Sequence, residues 1–103
     1  MSFRHSIDPS LRDSWLPLIE YHYDLTLSPL RRLLRSTHVR FEEVLDNQRT
    51  CYRFEVSAKS VAGEPLFFSG QHTDGKVVIA DVFSRARRDV SRRRRAVGLS
   101  RVH

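Results

Sequence analysis

The chain has 103 residues and a formal net charge of +6, enough for one domain with a single modest core and too few for two. Residues 84–103 hold eight arginines against one aspartate (+7), and residues 1–83 hold ten basic against eleven acidic residues (−1); basicity concentrated at one end points to a polyanionic partner. One cysteine, Cys51, excludes an intramolecular disulfide, and no apolar run reaches the length of a membrane span.

These limits, with no apolar leader at the N-terminus, give the expectation of a cytoplasmic protein with no membrane partner. Cys51 reads as a small strand residue rather than a reactive thiol. The first element is "SFRHSI", where Phe3, His5 and Ile7 alternate with polar neighbours as in a short strand. "DPS" follows as a helix entry, with Asp8 able to cap and Pro9 suited to the first helical position. Leu11, Trp15, Leu18, Ile19 and His22 recur at helical spacing, but Pro17 allows two readings. Either the helix kinks there, or it starts near Asp13 or Ser14 with Pro17 in its first turn. "SPLRRLL" predicts a second short turn, Ser28 capping and Pro29 first, with Leu30, Leu33 and Leu34 on one side. Arg31, Arg32 and Arg35 occupy the other side, a second basic cluster.

Two strands follow, "THVRFEEVL" and "TCYRFEVSAK", joined by a three-residue "DNQ" turn. Charge sets their register. If Phe41 lies opposite Phe54, then Val39 meets Val56, Glu42 meets Arg53 and Arg40 meets Glu55. A slip of two residues instead opposes like charges. The charged outer face of this hairpin reads as a solvated sheet surface. "AGEP" turns the chain into another strand, "LFFSGQH", and "TDG" opens the last helix with Thr73 or Asp74 as its cap. The predicted order is β-α-β-β-β-α: an α+β domain with a four-stranded mixed sheet and two helices on one face. The domain is expected over residues 1–97, with 98–103 as a short tail.

The last helix contains "SRARRDVSRRRR", seven arginines in twelve positions. On a helical wheel Ile79, Val82, Phe83, Ala86 and Val90 form the core stripe. Arg85, Arg88, Arg92 and Arg95 fall within about 80° of each other on the far side, while Arg87 and Arg94 lie near the core boundary. Arg93 completes the run. Cations near a helix C-terminus favour the macrodipole, which accounts for one or two arginines. A row of four, with no Glu at i−4, carries a repulsion that a bound polyanion would relieve. Arginine rather than lysine favours phosphates, because the planar fork grips two oxygens.

No metal-ligand spacing links the five histidines, and no HExxH or CxxC motif occurs. His72 stands two residues before Asp74, but no nucleophile motif accompanies them. The reading is of a non-enzymatic protein with no cofactor, no metal and no small-molecule substrate.

Two stretches carry a family likeness. "FRHSIDPS" resembles the opening strand and Asp-Pro-Ser helix entry of the bacterial ribosome hibernation-promoting factors, also called ribosome-associated inhibitors. "DGKVVIADVFSRARRDVSR" is similar to their final helix in Asp74, Val78, Ile79, Asp81, Phe83 and Ala86 to Arg88. Order and spacing extend the resemblance over roughly residues 2 to 95. It implies the β-α-β-β-β-α fold. It also implies binding to the small ribosomal subunit, in the channel for messenger and transfer RNA, so that translation stops in stationary phase or stress. By position, Arg85, Arg87, Arg88 and Arg92 would face ribosomal RNA. The chain departs from the family where Pro17 and Pro29 stand in a first helix that is normally continuous and basic, with Arg12 its only early cation. The long members' dimerisation domain does not follow, and a monomer is the expectation. Other readings of the same charge are a general structured-RNA binder, and a module that docks an acidic protein.

Overall fold

In the computed structural model the backbone is described for residues 2–102 and side chains for residues 3–93. The elements are β1 (Ser2–Ile7), α1 (Pro9–Thr26), a 3₁₀ helix (Ser28–Leu33), β2 (Leu34–Asp46), β3 (Arg49–Ser60), β4 (Pro65–His72) and α2 (Gly75–Val102). They form a four-stranded mixed sheet in the order β1-β2-β3-β4. The β1–β2 pair is parallel and the other two pairs are antiparallel. Both helices cover one face, as the sequence predicts. Among the described residues no helix is long and apolar enough to cross a membrane.

The β2–β3 register is the one the charges dictate. Phe41 lies opposite Phe54, Val39 opposite Val56, Glu42 opposite Arg53 and Arg40 opposite Glu55. The turn is tighter than expected. Asp46 pairs with Arg49, leaving Asn47 and Gln48 as a two-residue loop with φ of 49° and 64°. Both angles are left-handed, the geometry that matches a hairpin's twist, and Asn tolerates it better than most residues.

Helix α1 begins at Pro9, which decides between the two readings of its start. The Asp8 carboxylate accepts from the Ser10 backbone N–H at 3.0 Å, and the helix runs through Pro17 to Thr26. Pro17 is exposed, so its missing N–H costs one ladder bond on the solvent side and leaves the buried side intact. The following turn is 3₁₀, with Leu27 rather than Ser28 at its N-cap and no side-chain capping bond. The Ser28 carbonyl instead accepts from Arg31 Nη1 at 3.1 Å. Leu34 already starts β2, which puts Arg35 in a strand, at a shift in register between Leu34 and Ser36.

The core joins the inner faces of β2 and β3 (Val39, Phe41, Phe54, Val56) to Ile19 of α1 and Ile79, Val82, Phe83 and Ala86 of α2. All are essentially inaccessible to solvent. Phe83 packs on Phe54 with ring centroids 5.1 Å apart, and Trp15 packs on Phe41 at 5.1 Å and on Tyr52 at 5.2 Å. Gly75 lets α2 start here: a Cβ on it would come within 2.6 Å of the Trp15 indole. The absent side chain is therefore a requirement of packing.

Candidate nucleic-acid interface

Helix α2 is positioned by its apolar stripe and by its entry. Asp74 caps the entry, its Oδ1 accepting from the Lys76 N–H at 2.9 Å. His72 Nδ1 accepts from the Asp74 N–H at 2.9 Å, so the one His/Asp pair noted in the sequence organises this turn. Val78, Ile79, Val82, Phe83, Ala86 and Val90 are buried. Where the stripe faces the sheet, the opposite side of the helix must face solvent.

The arginines divide into two groups. Arg87, Arg88 and Arg92 are exposed, and with Ser84 and Ser91 they line one open groove along the helix. Among the described residues Arg87 and Arg88 have no carboxylate partner, and Arg92 has only a loose one, Nη2 to Asp89 Oδ1 at 3.9 Å. Arg85 and Arg93 are engaged. Arg85 donates from Nη2 to the Ser69 carbonyl at 2.7 Å and from Nε to Asp81 at 3.1 Å. This guanidinium occupies an acceptor on edge strand β4, one way a sheet edge is protected. Arg93 donates to Glu64 at 2.6 Å and to Asp89 at 2.9 Å. Hydrogen bonds from Asp89 and Glu64 hold its pKa above the ordinary arginine range.

Two expectations need correction. The row is relieved at one member, because Asp81 stands at i−4 to Arg85 and pairs with it, and beside the row Asp89 pairs with Arg93. The wheel also put one side chain too far out. Arg87, expected near the core boundary with its stem free to snorkel, is exposed, whereas Arg85, expected on the outer row, is half-covered. A wheel measures angle about one axis and omits the strand edge and loop that reach up to the helix. Arg94 and Arg95, and the expected tail 98–103, lie outside the described side chains.

The second basic cluster is solvent-facing: Arg31 and Arg32 on the 3₁₀ turn and Arg35 on β2 are all exposed. Helix α1 is different. Its outer positions carry Asp13, Glu20 and Asp24 against Arg12 alone, all exposed. Phosphates are thus favoured by one helix and repelled by the other. Among the described residues no group of three His, Cys, Asp or Glu could hold a metal ion.

No protein-family model and no curated protein matches the sequence. Solved structures do match in three dimensions. A ribosomal subunit interface protein from Coxiella burnetii aligns at a TM-score of 0.67 and 15% identity, over 91% of this chain and 98% of that one. The N-terminal domain of Thermus thermophilus Protein Y aligns at 0.53 and 14%, over 88% of this chain and 93% of that one. Likeness this strong in backbone and this weak in sequence is a likeness of fold. This chain has the β-α-β-β-β-α fold of those two proteins, the fold that the resemblance of its two ends implies.

Proposed function

We propose that this protein is a non-enzymatic, cytoplasmic ribosome-binding factor that grips phosphates of small-subunit rRNA with α2 and so inhibits translation in stationary phase or stress. The observation that carries this reading is the groove of Arg87, Arg88 and Arg92, three exposed guanidiniums without a firm carboxylate partner among the described residues. It lies on the fold of a ribosomal subunit interface protein. Arginines held on a rigid helix present fixed forks, and a phosphate backbone offers paired oxygens at each step. Arg31, Arg32 and Arg35 add a smaller contribution from a shorter element. Binding in the channel for messenger and transfer RNA would inhibit by occupancy, with no chemical step.

Cosedimentation with purified small subunits tests this. Arg88→Glu with Arg92→Glu should abolish binding while the circular dichroism spectrum is unchanged, since neither side chain enters the core. Three phosphate contacts give a log–log salt slope of about −2 to −3. A double variant that binds subunits like the parent would overturn the reading. Equal affinity for subunits and for free structured RNA would assign the groove to general RNA binding, and displacement by an acidic protein alone would assign it to a protein partner.

A further inference from the structure

The face of the sheet away from the helices is not uniform. Its outward side chains fall into rows that the strand register fixes. Toward the hairpin turn, Glu42, Arg53 and Gln71 share one row, and Arg40 and Glu55 share the next. Here charges answer one another: Arg53 donates to Glu42 at 3.2 Å and to Gln71 at 3.3 Å. This half is a solvated polar ladder. The other half differs. Arg4, His38, Ser57 and Phe67 form one row across all four strands, and Ser36, Lys59 and Pro65 form the row beside it. Neither row contains a carboxylate.

Among the described residues Arg4 and Lys59 have no ion-pair partner. Ser6 Oγ sits 2.8 Å from His38 Nε2 and holds the imidazole, and a shallow depression runs along Arg4, Ser36, Thr37 and His38. Phe67 is 59% exposed in the middle of β4. A single exposed aromatic needs no explanation by itself. One that ends the row of Arg4, His38 and Ser57, beside the row that holds Lys59 and with no carboxylate in either, has the parts of a stacking platform: a π face for a base and charges for the flanking phosphates. Three strand spacings make the row about 14 Å wide, room for about two or three bases.

The geometry points to a second nucleic-acid site here: a single-stranded RNA segment laid across β1 to β4, one base on Phe67, its phosphates toward Arg4 and Lys59. The site stands apart from the groove on α2, on the opposite side of the sheet. A protein with both could hold a structured RNA on one side and an unpaired strand on the other.

Fluorescence anisotropy of labelled octauridine with the full chain tests it. Phe67→Ala should weaken binding by about five-fold or more, the loss expected for one stacked base. Phe67→Tyr should restore it, and Arg4→Glu with Lys59→Glu should weaken it and flatten its salt dependence. The Phe67→Ala loss should persist in the Arg88→Glu/Arg92→Glu background, which separates this site from α2. That background is judged on small subunits and Phe67→Ala on octauridine, so either proposal can fail alone. Octauridine binding indifferent to Phe67 and to the Arg4/Lys59 pair would overturn the assignment. So would a monomer–dimer equilibrium abolished by Phe67→Ala with octauridine binding untouched, which would give the face to a second copy.

Discussion

Helices α1 and α2 pack on the same face of one sheet with inner surfaces of the same kind. Ile19 and Tyr23 do on α1 what Val82 and Phe83 do on α2, and Tyr23 meets Phe83 edge-on with ring centroids 6.5 Å apart. Outside they are opposites: exposed Asp13, Glu20 and Asp24 on one, exposed Arg87, Arg88 and Arg92 on the other. The inner sides specify a fold, and many apolar sets satisfy that demand. On the proposed function the outer sides would set which way the molecule faces a polyanion. In a uniformly basic protein many orientations would bind; here an approach led by the acidic helix would be penalised against those led by α2, by the Arg31, Arg32 and Arg35 cluster or by the basic half of the sheet.

The largest effect should come from breaking what the helices share. Phe83→Ala should cost about 3–5 kcal/mol of stability by urea unfolding, a large part of what a domain this size holds. Ionic strength should not alter that loss. The contrast between the outer faces is tested by reversing the acidic one. Asp13→Lys, Glu20→Lys and Asp24→Lys together should raise affinity for non-specific RNA severalfold and reduce discrimination in favour of small subunits. An unchanged affinity would show that α1 plays no part in orientation.

A smaller effect separates the engaged arginines from the free ones. Arg93→Ala should lower stability by only about 0–1 kcal/mol, because its pair with Glu64 is solvent-exposed and its pair with Asp89 only partly buried. A double-mutant cycle with Glu64→Ala measures the coupling. The smallest prediction concerns the α1 cap. Hydrogen bonds from the Ser10 backbone and side chain lower the Asp8 pKa below 3.8. Because the folded value is depressed, the cap's stabilisation is present above the unfolded pKa and is lost as pH falls through the folded one. The difference in melting temperature between parent and Asp8→Ala should therefore be present at neutral pH and close in strong acid.

Much of the fold was legible because the sequence states some constraints twice. The β2–β3 pairing is written both in hydrophobic alternation and in charges that repel under any two-residue slip, so Phe41 could be placed against Phe54. The start of α1 was written in Asp8 and Pro9 but obscured by Pro17. Its harmlessness depends on facing solvent, which only packing decides. The arginine groove was legible in kind and less so in membership. Arg85 is taken up by Ser69 and Arg93 by Glu64, partners 16 and 29 residues away, and no periodicity records such contacts. Asp81 and Asp89 at i−4 were in plain view. The outer face of the hairpin was read as a solvated sheet surface; the outer face of the whole sheet divides in two only when β1 and β4 are laid beside the hairpin, because Arg4 and Phe67 come from strands remote in sequence.

Trp15 is the only tryptophan in the chain, and it sits where three parts of the molecule meet: α1, which carries it, the Phe41–Tyr52 pair of the sheet, and Gly75 at the root of α2. Its emission is thus a native optical reporter of the docking of α2. Undocking should shift it to the red without any label, so stopped-flow fluorescence of the unmodified chain can time the assembly of α2 on the sheet. It lies across the sheet from Phe67, so quenching by RNA bound on the outer face should leave that signal unaltered.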